Sequence, residues 1–437
     1  MPSDPSVSEQ VAAPMPSKTR YVLIVTVEGL GTNLVGCYGG AIGPTKNLDS
    51  FACRSIVFDQ FWADTLRPLD VLESMWTGKH FASRSTDQAS TDQANEGNRL
   101  LDRAMLITDS IEIVEESTRG EFGSVLLIDA QADDSDEDAP TQITRLFEAA
   151  LGQWATQHED FPILWIHSRG LNSDWDAPYE YRCVMCDEGD PEPPFGTAPG
   201  QLTITDETDP DEVFGLACAM GAQAMAFDDA WSMIEEILGE LGIAGDCLQV
   251  LAGVQGYPIG EHGCVGQSAG ALYAETLHLP LVVRPGDQLD VGVRVPFIVQ
   301  PNSIWKTVVG WMGDLNETIH SDAMCTDLVL DIAALPAEDW PTKNQMAYSC
   351  CEGQVHVAVP AWSCRWSSSE NPDRTETQRV EMFATPDDRW QQNEVSQRAI
   401  AIVEELAERR DAWLRCCLAE ELVEWTPLSS ELTHPIR

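Results

Sequence analysis

The chain has 437 residues, 43% of them hydrophobic, enough to bury a large core and to form two or three domains. Its 71 acidic and 26 basic residues give a formal net charge of −45, which repels nucleic acid, anionic lipid and polyanionic glycans, and no basic patch offsets it. No apolar run approaches the about 20 residues that cross a bilayer, so neither a nucleic-acid nor a membrane partner is expected.

The opening stretch "MPSDPSVSEQVAAPMPSKTR" carries no apolar signal region, and residues 1–19 are expected to form a disordered tail. "RYVLIVTV" (20–27) is then a continuous β-branched run ending at Gly29, the pattern of a strand buried on both faces of a parallel sheet. The "GLGTNL" that follows is a poor dinucleotide fingerprint, because Leu34 stands at its third glycine position. Further strands are expected at 104–110, 124–130, 161–168 and 247–253.

Between these strands, "STDQASTDQA" (85–94) is a tandem pentapeptide too polar to pack and reads as a surface insertion. "DDSDED" (133–138) lacks the glycine and closing glutamate of a calcium loop and reads as a solvated acidic loop. "CVMC" (Cys183, Cys186) is a lone CxxC without further ligands in zinc register. The thirteen cysteines show no disulfide framework, and free thiols in a reducing cytoplasm are expected. Cys350, Cys351, Cys416 and Cys417 read as small packing residues.

A long helix is expected over 210–241. Asp209 is its N-cap, Pro210 its first residue and Glu212 the partner in a capping box. Val213, Leu216, Met220, Ala224, Phe227, Trp231, Ile234, Leu238 and Leu241 form one apolar stripe along it. From about residue 331 the pattern changes to short strand-like pieces, then a helix expected from Glu394 to Trp425 that docks through Val395, Ala399, Ile402, Leu406, Trp413 and Leu418. The expected fold class is therefore α/β: a doubly wound, mostly parallel sheet flanked by helices over 20–335. A small C-terminal α+β subdomain follows over 336–437 and ends in a long helix.

Five segments, in order and at plausible spacing, resemble the sulfatase branch of the alkaline phosphatase superfamily. They are "YVLIVTVEGLGTNLVGCYGG" with "PTKNLDSFACRSIVFDQFWAD", "SMWTGKH", "HSRGLNSDWDAPYEYR", "VLAGVQGYPIGEHGCVGQ" with "LYAETLHLPLVVRPG", and "FATPDDRWQQNEV". The resemblance implies an alkaline phosphatase-like fold and hydrolysis of sulfuric or phosphoric esters. It also implies a divalent cation (Ca, Mg or Zn) held by an acidic pair after the first strand and an Asp-Asn or Asp-His pair after a late one.

This sequence departs from that pattern at each chemical position. Counting from Cys37-Tyr38-Gly39 puts the first pair on Glu28 and Gly29; counting from Gly260-Glu261-His262-Gly263 puts the second on Val254 and Gln255. A divalent cation needs several hard oxygens, and one carboxylate and one amide remain. The family's C/S-x-P-x-R nucleophile motif is absent: Pro68, Asp70 and Leu72 occupy its Cys/Ser, Pro and Arg positions. Thr65 is the nearest upstream hydroxyl, about one helical turn early, and reads as a cap or turn residue.

Gln267 stands for the family's lysine, and Asn172 for its middle-motif histidine, with His167 and Arg169 nearby. His262 reads as a hydrogen-bonded structural histidine, and Trp62 and Trp175 read as core. The expectation is a residual pocket of Glu28, Thr65, His167, Gln255 and His262 with no catalytic residue, metal or other cofactor. Such a pseudoenzyme has a binding or scaffolding role toward a small molecule or protein. The alternative is a divergent sulfatase or phosphohydrolase with relocated ligands around a divalent cation.

Overall fold

The computed structural model describes residues 19–83, 100–117, 122–129, 139–196, 198–266, 271–286, 292–313, 328–329, 345–367, 379–385, 387–419 and 426–434. The N-terminal tail to residue 18, both polar insertions, Gln267 and the 335/336 boundary lie outside them.

The main sheet is built from β1 (Tyr21–Gly29), β2 (Ile56–Trp62), β3 (Ala104–Thr108), β4 (Ser124–Leu127), β5 (Ile163–Ser168), β7 (Cys247–Gly256), β9 (His278–Leu279), β10 (Leu281–Arg284) and β11 (Val293–Val299). Its order is β11-β2-β10-β7-β1-β5-β3-β4, with β9 beside β2. β1 pairs in parallel with β5 and β7, and only β9 and β10 run against the rest. The carboxyl ends of β1, β2, β3, β5 and β7 therefore meet along one edge, where a chain that leaves β1 in both directions opens a crevice.

Both faces of the sheet are covered, which explains why β1 is apolar at nearly every position. Val22 and Ile24 join a core with Trp165, Val250 and the helices Pro68–Thr77 and Asn302–Met312. Leu23, Val25 and Val27 point the other way, into a core with Phe147 of helix Gln142–Gln157 and Phe227 and Trp231 of helix Pro210–Leu241.

The long helix spans the expected residues, with Pro210 in its first turn. The Asp209 carboxylate accepts from the Asp211 amide at 3.0 Å, one position earlier than a capping box places that bond. Of its apolar stripe, Met220 to Leu238 is buried, whereas Val213, Leu216 and Leu241 at the two ends are half-buried.

Four elements differ from the sequence expectation. β2, β10 and β11 join the sheet although their runs are short or broken: β10 has four residues, and β11 contains Arg294 and Pro296. The terminal helix starts at Ile400 rather than Glu394, because Glu394 turns back to cap the Met382 and Ser396 amides and a 3₁₀ turn at Ser396–Arg398 intervenes. Residues 420–425 lie outside the described part.

A second, antiparallel sheet is a meander of β12 (Ala347–Cys351), β13 (Gln354–Val359), β14 (Trp362–Ser367) and β15 (Arg379–Ala384). The terminal helix packs on it through Ile402, Leu406 and Trp413, with the Trp413 ring stacked on Tyr348 at 4.4 Å. Trp62 lies flat between His278 of the main sheet and His356 of the meander, at 4.9 and 5.1 Å.

Candidate functional site

The crevice forms where β1 and β7 lose register. Val27 stands beside Gly253, but the next pair is Glu28 with Gln255, so β7 carries one extra residue, Val254. Val254 turns into the apolar core. The register break brings a carboxylate and a carboxamide level at the carboxyl edge of the sheet, and the turn Gly170–Asn172 after β5 places Asn172 against both. Asn172 Nδ2 donates to Glu28 Oε2 at 3.1 Å and to Gln255 Oε1 at 3.0 Å. Gln255 Nε2 donates in turn to the Leu66 carbonyl at 2.9 Å, tying the β2–helix loop to the cluster.

His167, on β5, is fully buried beside Glu28, with Nε2 at 3.3 Å from Oε1. Its Nδ1 is 3.1 Å from the Thr26 hydroxyl, which accepts from the Trp165 indole N–H at 3.0 Å. The Nε2–H of the ring faces Glu28, and the Thr26 hydroxyl lies within reach of both Nδ1 and the Ile166 carbonyl. Both Glu28 oxygens thus face N–H donors.

Asp109 is a second carboxylate in the neighbourhood that the sequence reading did not single out. It caps the Arg169 amide at 2.8 Å and accepts from the Ser168 hydroxyl at 3.5 Å. Burial pushes its carboxyl above the ordinary range, the Arg169 N–H and His167 work against that rise, and the Glu28 charge adds to it. The only sequence signal was its place directly after β3.

The position of the second acid, Gly29, is closed to side chains. Its φ is +76°, and a Cβ there would sit 2.7 Å from the Leu171 Cβ. Where the nucleophile motif is expected, Pro68 opens a helix, Asp70 pairs with Arg67 at 3.5 Å and Leu72 is fully buried. Thr65 is 1% exposed and its hydroxyl has no hydrogen-bond partner among the described residues. It is a buried loop residue three positions before that helix and not its N-cap, which is Arg67.

His262 belongs to a different cluster. It adopts φ 50° in the turn Glu261–Gly263, stacks on Tyr273 at 3.6 Å, and uses both ring nitrogens: Nδ1 with Glu275 at 2.8 Å and Nε2 with the Gln391 carbonyl at 3.0 Å. Burial works against its protonation, but the Glu275 carboxylate and the Gln391 carbonyl outweigh that and raise its pKa. A shallow depression on this side is lined by Asn33, Glu275, Arg389 and Trp390 among others, and not by Glu28, Thr65, His167 or Gln255. Trp175 is buried, its indole N–H on the Leu171 carbonyl.

The structure therefore joins Glu28 to Gln255 through Asn172 and to His167 directly, ties the Thr65 loop to them through Leu66, and leaves His262 apart. A divalent cation is a poor fit to this donor set. The crevice offers one carboxylate whose oxygens already accept hydrogen bonds, one carboxamide oxygen similarly engaged, and a neighbouring carboxylate committed to a backbone amide. Among the described residues no three His, Cys, Asp or Glu side chains converge in a metal-binding group, and no helix is long and apolar enough to cross a membrane.

No protein-family model matches the sequence, and no curated protein matches it. Solved structures do match its fold. One, in complex with its substrate D-glucosamine-2-N,6-O-disulfate, superposes with a TM-score of 0.71 at 14% identity over 92% of this chain and 99% of that chain. The phosphonate monoester hydrolase of Agrobacterium radiobacter gives 0.68 at 14% identity, covering 94% and 99%. A 2-O GAG sulfatase gives 0.65 at 12% identity, covering 94% and 96%. This chain has a sulfatase-like, alkaline phosphatase-like α/β fold.

Proposed function

We propose that this is a catalytically degenerate sulfatase-like protein, retained to bind a small molecule or a protein rather than to hydrolyse an ester. The observation that carries the reading is Gly29: a second acidic ligand after β1 is sterically excluded by Leu171 and by the backbone's positive φ. The rest of the crevice supports it. Val254 is core, Leu72 is core where the motif places arginine, and the oxygens of Glu28 and Gln255 are taken by Asn172 and His167. Stabilising charge on a sulfuryl or phosphoryl group requires cations aimed at it. At −45 overall, an anionic sugar sulfate of the kind bound by one structural neighbour is disfavoured, and a neutral or cationic ligand suits Glu28 better. A reducing compartment such as the cytoplasm accords with the free thiols.

The test is the metal content of the full chain after exhaustive dialysis, together with turnover of an aryl sulfate and an aryl phosphate. The expected result is no stoichiometric Ca, Mg or Zn and no turnover; either one present overturns the proposal. A second reading, a divergent sulfatase or phosphohydrolase with relocated ligands, draws on Asp109, a buried carboxyl whose pKa is raised in part by the Glu28 charge. It requires metal or turnover that Asp109→Asn abolishes.

A further inference from the structure

The CxxC at Cys183–Cys186 suggests a thiol pair, but the structure pairs a different thiol. Cys186 Sγ lies 3.9 Å from the Sγ of Cys218, 32 residues away in sequence, in helix Pro210–Leu241. Cys183 points to solvent, where its thiol meets the Tyr179 hydroxyl. Cys186 ends a 3₁₀ turn at Cys183–Met185 and is half-buried; Cys218 is 1% exposed. The turn is anchored to the neighbouring loops through Arg182 and to the helix through Met185. Arg182, itself buried, donates to the carbonyls of Trp175, Pro194 and Gly196, and the Met185 methyl group packs over Gly221.

We propose that Cys186 and Cys218 form an oxidation-sensitive pair that closes to a disulfide, a modification site independent of the crevice. The geometry divides the roles. Of the two, Cys186 is the one open to an oxidant, and Cys218 is near enough to resolve it. With hydrogen peroxide as oxidant, the Cys186 thiolate attacks one peroxide oxygen, the O–O bond breaks, and Cys186 sulfenic acid and hydroxide form, the hydroxide taking up the proton the thiol had released to give water. The Cys218 sulfur then attacks the Cys186 sulfur, the S–O bond breaks, and the departing hydroxide takes the Cys218 proton as water. Two thiols and one peroxide become one disulfide and two waters. Closing 3.9 Å to a bond of about 2.05 Å brings the two sulfurs about 2 Å nearer. The bond closes a loop over residues 187–217, including the segment that pairs β6 (Leu202–Thr203) with β8 (Cys264–Val265).

The test treats the reduced full chain with one equivalent of peroxide, blocks remaining thiols, and maps peptides by mass. The expected product is a peptide pair linked through Cys186 and Cys218, retained in Cys183→Ser and lost in Cys186→Ser. In Cys218→Ala, labelling of Cys186 by a sulfenic-acid reagent rises several-fold, because the resolving thiol is gone. Should Cys218→Ala fail to fold, the surface variants Cys183→Ser and Cys186→Ser decide alone. A link between Cys183 and Cys186, or oxidation confined to the exposed Cys53 and Cys183, overturns the proposal.

Discussion

The Glu28 carboxylate and the Gln255 carboxamide share one donor, the Asn172 side-chain nitrogen, at 3.1 and 3.0 Å. Three residues far apart in sequence thus close a polar triangle where a cation site is implied by the resemblance. Removing the shared donor leaves two acceptors stranded. Asn172→Ala is expected to cost about 1–3 kcal/mol in urea unfolding. A cost near zero shows that water replaces the amide and that the triangle does not hold the crevice.

Gly29 makes a sharper demand. A side chain there meets both a left-handed backbone and the Leu171 Cβ at 2.7 Å. Gly29→Ala should destabilise by more than about 1 kcal/mol, read as a lowered melting temperature. Gly29→Asp should be no better and should leave calcium binding, measured by titration calorimetry, undetectable. Recovery of tight calcium binding in Gly29→Asp contradicts the steric argument.

Thr65 offers the opposite expectation. Its buried hydroxyl has no partner among the described residues, so the near-isosteric Thr65→Val removes a desolvation cost and loses no bond. Stability should stay unchanged or rise by up to about 1 kcal/mol. A loss larger than that in chemical denaturation reveals a partner for the hydroxyl.

His262 links pH to stability. Its folded pKa is raised above the unfolded value near 6.5. Its protonated form, held by Glu275, therefore contributes stability that is fully present below about 6.5 and is lost as pH rises through the folded pKa. The melting temperature of the native chain should exceed that of His262→Gln by more at about pH 6 than at about pH 9. A gap independent of pH indicates that only the stacking on Tyr273 matters.

The charge of −45 predicts a salt response of the whole fold. Self-repulsion destabilises the compact state, and its reach shrinks from about 30 Å at 0.01 M salt to about 3 Å at 1 M. Melting temperatures should rise by several degrees across that range, in sodium chloride as in potassium chloride. A flat response places the acidic side chains too far apart to repel.

Strands buried on both faces were legible because each needs an unbroken apolar run, as in β1, β5 and β7. β10 was hidden by its length, and β11 by Arg294 and Pro296. Counting along the motifs set Glu28 and Gln255 each in one of the two implied ligand pairs, and the register places them side by side. The part of Asn172 and the approach of Asp109 were not legible, because contacts spanning 144, 83 and 60 residues leave no local pattern. The same holds for the approach of Cys186 to Cys218, which spans 32 residues.

The slip between β1 and β7 acts as a gear change at the rim of the sheet. An unslipped ladder would set the Glu28 carboxylate across from the isopropyl group of Val254, charge against hydrocarbon. Slipped by one step, the same strands hand two polar tips to one amide while the valine stays dry. The length of β7, more than any single side chain in it, is thus what an insertion or deletion at this rim disturbs first.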